Sequence, residues 1–509
     1  METNTIKIKK EPSAFFRWLI LALISFAMFG NYYIYDSISP LADLLVKQLN
    51  FTDQNIGLLQ GIYSFPNIIM VLIGGIIIDR IGTKKSALLF TILVFIGSII
   101  TAISSNFSIM VTGRLIFGLG AESMIVAITT VIARWFKGKE LSLAFGLNLT
   151  IARLGSFLAL NSPSWGKGLY ETWKGPLLIT VIAGFFAVVC LIIYYLLDAY
   201  ASKNFELKKE GPQDKIAFQD IFKYNKHRII LASILVPVFF IILWQVNFIS
   251  FNIEVENILK QIAVIIVTLI FIFLNFKSFS KSFWFISCLC VVFYSAIFPF
   301  QTFAIKFFQD VHQTTREVGG GLSSILTLSA MIFTPLFGLL ADRIGKRSFL
   351  MMIGSLLIIP VYLIMAYKID LGSFLGLSEN INISFIDIKA ALPYRLIIPM
   401  SIMGIAFSLV PAVMWPSVAL VVQESKLGTA YGLMTMIQNI GLFGFNIIIG
   451  FINDLSKASA TNPQGYIPGM WIFSICGFLG LFFAFMLRKN EKGINSHGLE
   501  LGSIHTKKN

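Results

Sequence analysis

Long apolar segments alternate with short polar ones along nearly the whole chain. Each apolar segment is continuous and about 20 residues long, the length that an α-helix needs to cross a bilayer. Spans of a β-barrel would be about 10 residues long with alternating polarity, so the pattern predicts helices. The predicted spans are 14–38, 54–78, 84–104, 107–134, 139–163, 174–198, 229–249, 258–275, 281–308, 316–341, 347–368, 390–422, 426–451 and 466–488.

The composition agrees with an all-α polytopic membrane protein of fourteen transmembrane helices. Hydrophobic residues make up 56 % of the chain and charged residues only 13 %, against about 25 % charged residues in soluble domains. The net charge of +14 comes mostly from Lys and Arg in the loops, where orientation signals lie, so we expect no nucleic-acid partner. The sequence has no phosphate-binding loop, nucleophile elbow or metal-ligand spacing. We therefore expect neither an enzyme nor a cofactor.

Lysine and arginine are distributed unequally between the two sides of this span map. The segments on the side of the N-terminus hold about three times as many of them as the segments on the opposite side. Such an excess marks the cytoplasmic side, so we expect both termini in the cytoplasm. The first apolar segment is long and lacks a clear cleavage site, which favours an uncleaved span over a signal peptide.

One loop motif occurs at equivalent positions of two halves of the chain. "GGIIIDRIGTKKS" (Gly74–Ser86) and "FGLLADRIGKRS" (Phe337–Ser348) share the pattern G-x-x-x-D-R-x-G-x-[KR]. Such duplication is typical of transporters built from two repeated bundles. The predicted domains are an N-terminal six-helix bundle (1–198), a cytoplasmic linker with an inserted transmembrane hairpin (199–280, with the hairpin near 226–280), a C-terminal six-helix bundle (281–488) and a cytoplasmic tail (489–509).

The residue types of this motif suit a contact between helices. Glycines let a neighbouring helix approach, carboxylates accept hydrogen bonds from helix N-termini, and arginines stay at the headgroup level. The motif resembles the loop signature of the major facilitator superfamily, in which it holds two six-helix bundles together on the cytoplasmic side. The resemblance implies a gating role; the alternative is a set of turn residues and topology signals. The residues concerned are Gly75, Asp79, Arg80, Gly338, Asp342 and Arg343.

Two charged residues lie near the middle of predicted spans. Glu122, in "IFGLGAESMIVA", and Arg153 lie at the same depth on neighbouring helices joined by a short loop. A charge at this depth is costly, so it is a candidate functional group. The pair could bind the two ends of a zwitterion, with Arg153 on the carboxylate and Glu122 on the ammonium. The alternative is a buried ion pair that only holds two helices in register.

Other charges lie nearer the ends of the spans. Asp36 and Arg114 lie in the outer parts of their spans, and we expect them to pair as an outer gate; the alternative is two separate solvated residues. Lys306 lies near the outer end of its span, where a lysine extends to the headgroups or contacts substrate.

Neutral polar and aromatic side chains within the spans complete the candidate binding site. Asn148, Gln438 and Asn439 could line a cavity or join helices by hydrogen bonds. Tyr63 and Trp415 could form walls of the same cavity, although an aromatic residue in a span is more often a packing residue.

Several short stretches indicate a narrower family. They are "FGNYYIYDS", "GRLIFGLGAES", "WFKGKELSLAFGLNLTIARLGS", "FPF", "MWPSVALVV", "LGTAYGLMTMIQNIG" and "FIND". Together they resemble the lysosomal dipeptide uniporter family of the major facilitator superfamily. The resemblance implies alternating access, facilitated uniport and recognition of the dipeptide termini by Glu122 and Arg153. It also favours cavity lining for Gln438 and Asn439.

The sequence departs from that family in two places. The family has a Gln-Asn pair shortly after the glutamate of the fourth span, whereas this chain has "AITTV" (Ala127–Val131). The eukaryotic members begin with an acidic dileucine signal, which "METNTIKIKKEPSAFF" does not contain. Because the sorting signal is missing, we expect a bacterial inner membrane rather than a lysosomal one. We also expect the protein to be a monomer.

Two other functions stay open on the sequence alone. A proton-coupled carrier of amino acids or other small organic solutes would use Glu122 or Asp36 to carry protons. A membrane receptor with a decayed transporter fold is the alternative from another class, but both loop motifs and the intramembrane charges are intact.

Overall fold

Helices form at every predicted span that the structure describes. The computed structural model describes residues 12–136, 140–205, 279–377, 380–385, 388–423, 427–493 and 496–501. Within these residues, eleven helices are long and apolar enough to cross a membrane. Nearly all of the predicted linker and hairpin near 226–280 lies outside the described residues, so the count of fourteen spans stays a prediction.

The N-terminal helices follow the predicted boundaries closely, with one break. They are α1 (Ala14–Asp36), α2 (Ala42–Leu49), α3 (Asp53–Gly61), α4 (Ser64–Ile81), α5 (Thr83–Ile103), α6 (Phe107–Phe136), α7 (Leu141–Leu160), α8 (Ser162–Trp165) and α9 (Lys174–Asn204). The predicted span 54–78 is divided between α3 and α4. Pro66 causes the break, because its ring would clash with the carbonyl of Ile62 four residues earlier and it has no N–H to donate.

The C-terminal helices include one departure from the predicted map. They are α10 (Lys281–His312), α11 (Arg316–Ile344), α12 (Arg347–Ala366), α13 (Leu371–Phe374), α14 (Tyr394–Val421), α15 (Leu427–Leu455) and α16 (Ile467–Glu491). The predicted span 390–422 begins too early, because its first residues belong to an antiparallel hairpin of β1 (Asn380–Phe385) and β2 (Ile388–Pro393). Ile381, Ile383 and Phe385 alternate with polar residues in β1, and this alternation is a local signal for a strand.

The two sets of helices pack in the same way. In the N-terminal bundle (α1–α9), α1 contacts α7 and α9, α5 contacts α6 and α9, and α4 contacts α6. In the C-terminal bundle (α10–α16), the equivalent pairs are α10 with α15 and α16, α12 with α14 and α16, and α11 with α14. This correspondence is the structural counterpart of the duplicated loop motif.

The bundles meet along two helix pairs that are also equivalent. α3 and α4 pack against α15, and α7 packs against α11. We call the face at which α1 begins the predicted inner face, and the opposite one the predicted outer face. Apolar residues of α2 and α3, such as Leu45 and Leu59, belong to the same buried cluster as the C-terminal bundle. The bundles are therefore packed together mainly at the predicted outer face.

Candidate functional site

A cavity of about 250 Å³ lies between the two bundles. It is lined by α1, the break between α3 and α4, α6 and α7 from one bundle, and by α10, α14 and α15 from the other. The sequence-predicted residues that line it are Tyr63, Glu122, Arg153, Trp415, Gln438 and Asn439. Six of the seven residues proposed from the sequence for substrate binding therefore lie around one space.

Close backbone packing places the two charged residues at this cavity. Gly118 lies against the break between α3 and α4, since a Cβ there would be 2.3 Å from the Tyr63 carbonyl oxygen. Glu122 follows one turn later on α6. A Cβ at Gly155 would likewise be 2.3 Å from the Phe29 carbonyl oxygen, so α7 lies tightly on α1 next to Arg153. Glycine at these two positions fixes the spacing of the helices that carry the charges.

Glu122 and Arg153 face the cavity without contacting each other. Neither forms a hydrogen bond or an ion pair within 4.0 Å with any residue that the structure describes. The Arg153 guanidinium lies 5.2 Å from the ring centre of Tyr32 and 5.7 Å from that of Phe407. The buried ion pair that the sequence left open is therefore not formed in this conformation. Two opposite charges instead remain available to a bound molecule.

Aromatic side chains from both bundles form the walls. The rings of Tyr63 and Tyr35 lie 4.7 Å apart, edge to face. Trp415 Nε1 donates a hydrogen bond to the Tyr294 hydroxyl at 3.0 Å, and Tyr294 stacks on Phe298 at 5.6 Å. The sequence did not point to Tyr294, because an aromatic residue within an apolar helix carries no signal that distinguishes a cavity wall from ordinary packing.

Two of the amides that line the cavity have a buried carbonyl oxygen with no hydrogen-bond partner among the described residues. Asn439 Nδ2 donates to the Thr435 carbonyl at 3.0 Å, but its Oδ1 has no partner there. Asn31 on α1 also lines the cavity, and its Oδ1 has no partner either. A buried acceptor without a donor is costly, so these oxygens suit a ligand that carries N–H groups. Asn31 was not among the residues predicted from the sequence, although it lies in the stretch "FGNYYIYDS" and is a polar residue within a span.

Asn148, the seventh residue predicted to bind substrate, lies away from this cavity. Its Oδ1 accepts a hydrogen bond from Ser25 Oγ at 3.1 Å, and the residue is buried between α7 and α1. It is not among the residues that line the cavity. An amide in a span can line a cavity or join helices by hydrogen bonds, and in this structure Asn148 joins two helices.

A second cavity of about 310 Å³ adjoins the first one on its predicted inner side. Arg153, Tyr294 and Trp415 line both cavities. The second cavity continues along α7 to Gly146 and is bounded on the opposite side by α11 and α14. At this level the two bundles are separated by open space.

The predicted pair of Asp36 and Arg114 is not formed in this conformation. Arg114 is buried and donates to the carbonyl oxygens of Ile34 at 3.1 Å, Tyr35 at 3.3 Å and Leu59 at 3.2 Å, and it also donates to Gln60 Oε1 at 2.8 Å. These carbonyls include the end of α1, where the last turn of a helix has no internal partners. Arg114 thus joins α1 and α3 within one bundle. Asp36 is buried and lines a small space of about 10 Å³ between the bundles.

A polar network joins the two bundles at the predicted outer face. Lys306 Nζ lies 3.1 Å from Asp53 Oδ1 and 3.3 Å from Asp310 Oδ2, and donates to the Tyr466 hydroxyl at 2.7 Å. The Asp454 carboxylate accepts from the backbone N–H of Asp53 at 2.8 Å, at the N-terminus of α3. Lys306 is only 6 % exposed, so it neither extends to the headgroups nor reaches the cavity.

A second ion pair between the bundles lies nearer the solvent. Arg316 donates to both carboxylate oxygens of Asp43, at 2.6 and 3.1 Å. Its guanidinium also lies 5.0 Å from the ring centre of Tyr170. Burial raises the pKa of the Tyr170 phenol, which therefore stays neutral and shares a hydrogen bond of 2.5 Å with Ser162.

At the predicted inner face, the described ion pairs of the duplicated motif lie within single bundles, and Lys84 pairs with Asp198 at 3.7 Å. Apart from the adjacent backbone of its own helix, no described heavy atom lies within 4 Å of a Cβ built at Gly75 or Gly338. The expected close helix approach is therefore absent in this conformation, because the bundles are parted there. Asp342 pairs with Arg347 at 2.6 Å inside its own bundle. Arg80 and Arg343 are exposed, and the side chain of Asp79 lies outside the described residues.

Comparison with known proteins places these features in a family. The sequence profile of the Major Facilitator Superfamily matches residues 21–308 and 283–503. The lysosomal dipeptide transporter MFSD1 of Mus musculus is 28 % identical over 91 % of this chain and 84 % of its own length. The MFSD1 proteins of Danio rerio and Homo sapiens are each 27 % identical, over 86 % and 92 % of this chain and 81 % and 85 % of their own lengths.

Solved structures share the fold at low sequence identity. A mutant of the peptide transporter POT superimposes with a TM-score of 0.66 at 14 % identity, over 95 % of this chain and 96 % of that one. A mutant of the nucleoside transporter NupG gives a TM-score of 0.60 at 14 % identity, over 92 % of this chain and 99 % of that one. These likenesses concern the fold alone.

Proposed function

The chain belongs to the major facilitator superfamily and is a multi-pass membrane transporter, and we propose that it carries dipeptides by alternating access. Facilitated uniport is the mode that we propose, with both termini in the cytoplasm. The bacterial inner membrane expected from the sequence stays a prediction. The observation that carries the proposal is that Glu122 and Arg153 face one cavity with opposite charges and do not form an ion pair with each other.

A dipeptide suits this arrangement because it is a zwitterion with separated charges. Its carboxylate binds the Arg153 guanidinium through two parallel hydrogen bonds. Its ammonium group lies at Glu122 and donates hydrogen bonds to the amide oxygens of Asn31 and Asn439. The MFSD1 relatives, which are named as dipeptide transporters, support the same substrate class.

The state of the two faces supports alternating access. The bundles are joined by ion pairs at the predicted outer face and separated by a cavity at the predicted inner face. We propose that this is the conformation that releases substrate inwards. In the opposite conformation the duplicated motif closes the inner face, and the outer network opens.

The test is uptake of labelled Ala-Ala into proteoliposomes that contain the full chain. Arg153→Ala removes the guanidinium that binds the carboxylate of the dipeptide. We expect uptake to fall by about a hundredfold, the effect of losing a strong charge-assisted pair. Arg395→Ala is the matched control, because Arg395 is exposed at the predicted outer face, away from the cavity, and we expect nearly normal uptake. Normal uptake by folded Arg153→Ala would contradict the proposed site.

Proton-coupled transport is the second candidate. It is favoured by one observation, that Glu122 has no cationic partner within the described residues and could accept a proton. Uptake with and without an imposed pH gradient separates the two mechanisms. Uniport predicts exchange that does not depend on the gradient, whereas obligatory coupling predicts accumulation driven by it.

A further inference from the structure

The second cavity has no role in the binding of the two termini. We propose that it holds the side chain of the carboxyl-terminal residue of the dipeptide and selects bulky apolar side chains at that position. The inference rests on the proposed function, and it goes further by assigning a specificity to a particular part of the site. It makes the transporter sensitive to the order of the two residues in its substrate.

The position of Arg153 determines which side chain enters the second cavity. Arg153 is the charged residue common to both cavities, whereas Glu122 and Asn31 line only the first. A carboxylate held by Arg153 therefore lies at the junction. The Cα that carries the side chain of this residue is bonded directly to that carboxylate group, so the side chain lies next to the second cavity. The side chain of the amino-terminal residue is held nearer Glu122, on the other side of the junction.

The lining of the second cavity determines which side chains it accepts. Apolar surface comes from Leu149, Ala330, Met331, Phe407, Pro411 and Ala412. Thr150 and Thr334 supply hydroxyl groups, and apart from Arg153 the described lining residues carry no charge. A lysine side chain placed there would leave an ammonium ion without a counter-charge and near the Arg153 guanidinium, which is unfavourable. An apolar side chain would instead gain from leaving water.

The competing explanation is that the second cavity is only the exit path for substrate on the predicted inner side. A passage of that kind contacts both residues of a dipeptide in turn and does not distinguish their order. Sequence isomers separate the two explanations, because their composition, net charge and overall hydrophobicity are the same.

The experiment measures KM for uptake of three isomer pairs by the unmodified protein in proteoliposomes: Ala-Phe with Phe-Ala, Ala-Met with Met-Ala, and Ala-Lys with Lys-Ala. We expect KM about tenfold lower for Ala-Phe and Ala-Met than for their isomers, the size of effect that a hydrophobic pocket gives. We expect the opposite order for the lysine pair, with Ala-Lys the poorer substrate by about tenfold.

A charge change in the pocket sharpens the test. Met331→Glu supplies a counter-charge, and we expect it to improve Ala-Lys relative to Ala-Met by about tenfold. Met331→Gln, which is polar but neutral, should not reverse the order, and thermal unfolding of both variants checks that they fold. If every isomer pair has the same KM within twofold while Arg153→Ala still loses uptake, the pocket inference is wrong and the proposed function stands. If no dipeptide is transported, the proposed function fails and the inference fails with it.

Discussion

The two faces of the molecule differ in what joins the bundles. At the predicted outer face, Lys306 and Arg316 pair with Asp53 and Asp43 of the other bundle. At the predicted inner face, the described ion pairs of the duplicated motif lie within single bundles, Asp342 with Arg347 and Lys84 with Asp198. The difference shows that, in one conformation, the polar residues near the two membrane faces form different kinds of contact. Described ion pairs join the two bundles at the outer face, whereas those of the duplicated motif lie within single bundles.

The outer contacts are of a kind that can open. Polar groups that leave an interface are hydrated again, whereas parted apolar surfaces remain costly in water. Under the proposed alternating access, the outer network would therefore combine strong pairing in the closed state with tolerable exposure in the open state. Three substitutions test this comparison, and each is measured as the rate at which a cysteine at Ser39 reacts with a reagent added from the outer side. Ser39 suits this purpose because it is buried and its hydroxyl donates to the Gln301 carbonyl across the interface at 2.6 Å.

We expect the largest effect from Lys306→Met. It leaves Asp53 and Asp310 without their buried cationic partner, and breaking a buried pair on one side costs about 3–5 kcal/mol. The open outer face relieves this cost by admitting water, so labelling at Ser39→Cys should rise at least tenfold. Lys47→Met is the control, because the Lys47 side chain is 70 % exposed and should change labelling by less than about twofold. Equal labelling of the two variants would contradict a gating role for the network.

Substitution of either of two glycines by alanine should change labelling at Ser39→Cys by a smaller amount, and the two changes should have opposite directions. A Cβ at Gly57 would lie 2.1 Å from the Asn446 carbonyl oxygen in the closed outer interface. Gly57→Ala therefore hinders closure of that face by about 1–3 kcal/mol, and labelling at Ser39→Cys should rise. The added methyl group of Gly338→Ala meets no described atom within 4 Å in this conformation, apart from the adjacent backbone of its own helix, but it would hinder closure of the inner face, so labelling should fall. A shift in the same direction for both variants would show that the faces do not alternate.

The smallest effect is expected for Asp342→Ala. The Asp342 side chain is 67 % exposed, and a pair of that kind contributes about 0–1 kcal/mol. The melting temperature of the purified protein should therefore change little. A large drop in melting temperature would mean that the motif stabilises this conformation, which the open inner face does not predict.

Much of the fold and part of the site could be predicted from the sequence. The helices are marked by long apolar runs, and Glu122 and Arg153 stand out because charges are rare in such runs. The partners of Arg114 could not be predicted, because they are mostly backbone carbonyls, which every residue has. Lys306 pairs with a residue from the other bundle, and no local pattern reveals such a contact. The break at Pro66 and the hairpin β1–β2 had local signals that the prediction of continuous spans overrode.

The most direct test of the central claim is calorimetric binding of dipeptides with one blocked end. If Glu122 and Arg153 bind the two charged ends of a dipeptide, N-acetyl-Ala-Ala and Ala-Ala-amide should each bind the unmodified protein at least about tenfold more weakly than Ala-Ala. This binding mode also predicts that Arg153→Ala no longer distinguishes Ala-Ala from its amide, and that Glu122→Gln largely loses the distinction between Ala-Ala and its acetylated form. If both blocked dipeptides bind the unmodified protein as tightly as Ala-Ala, then Glu122 and Arg153 do not recognise the termini.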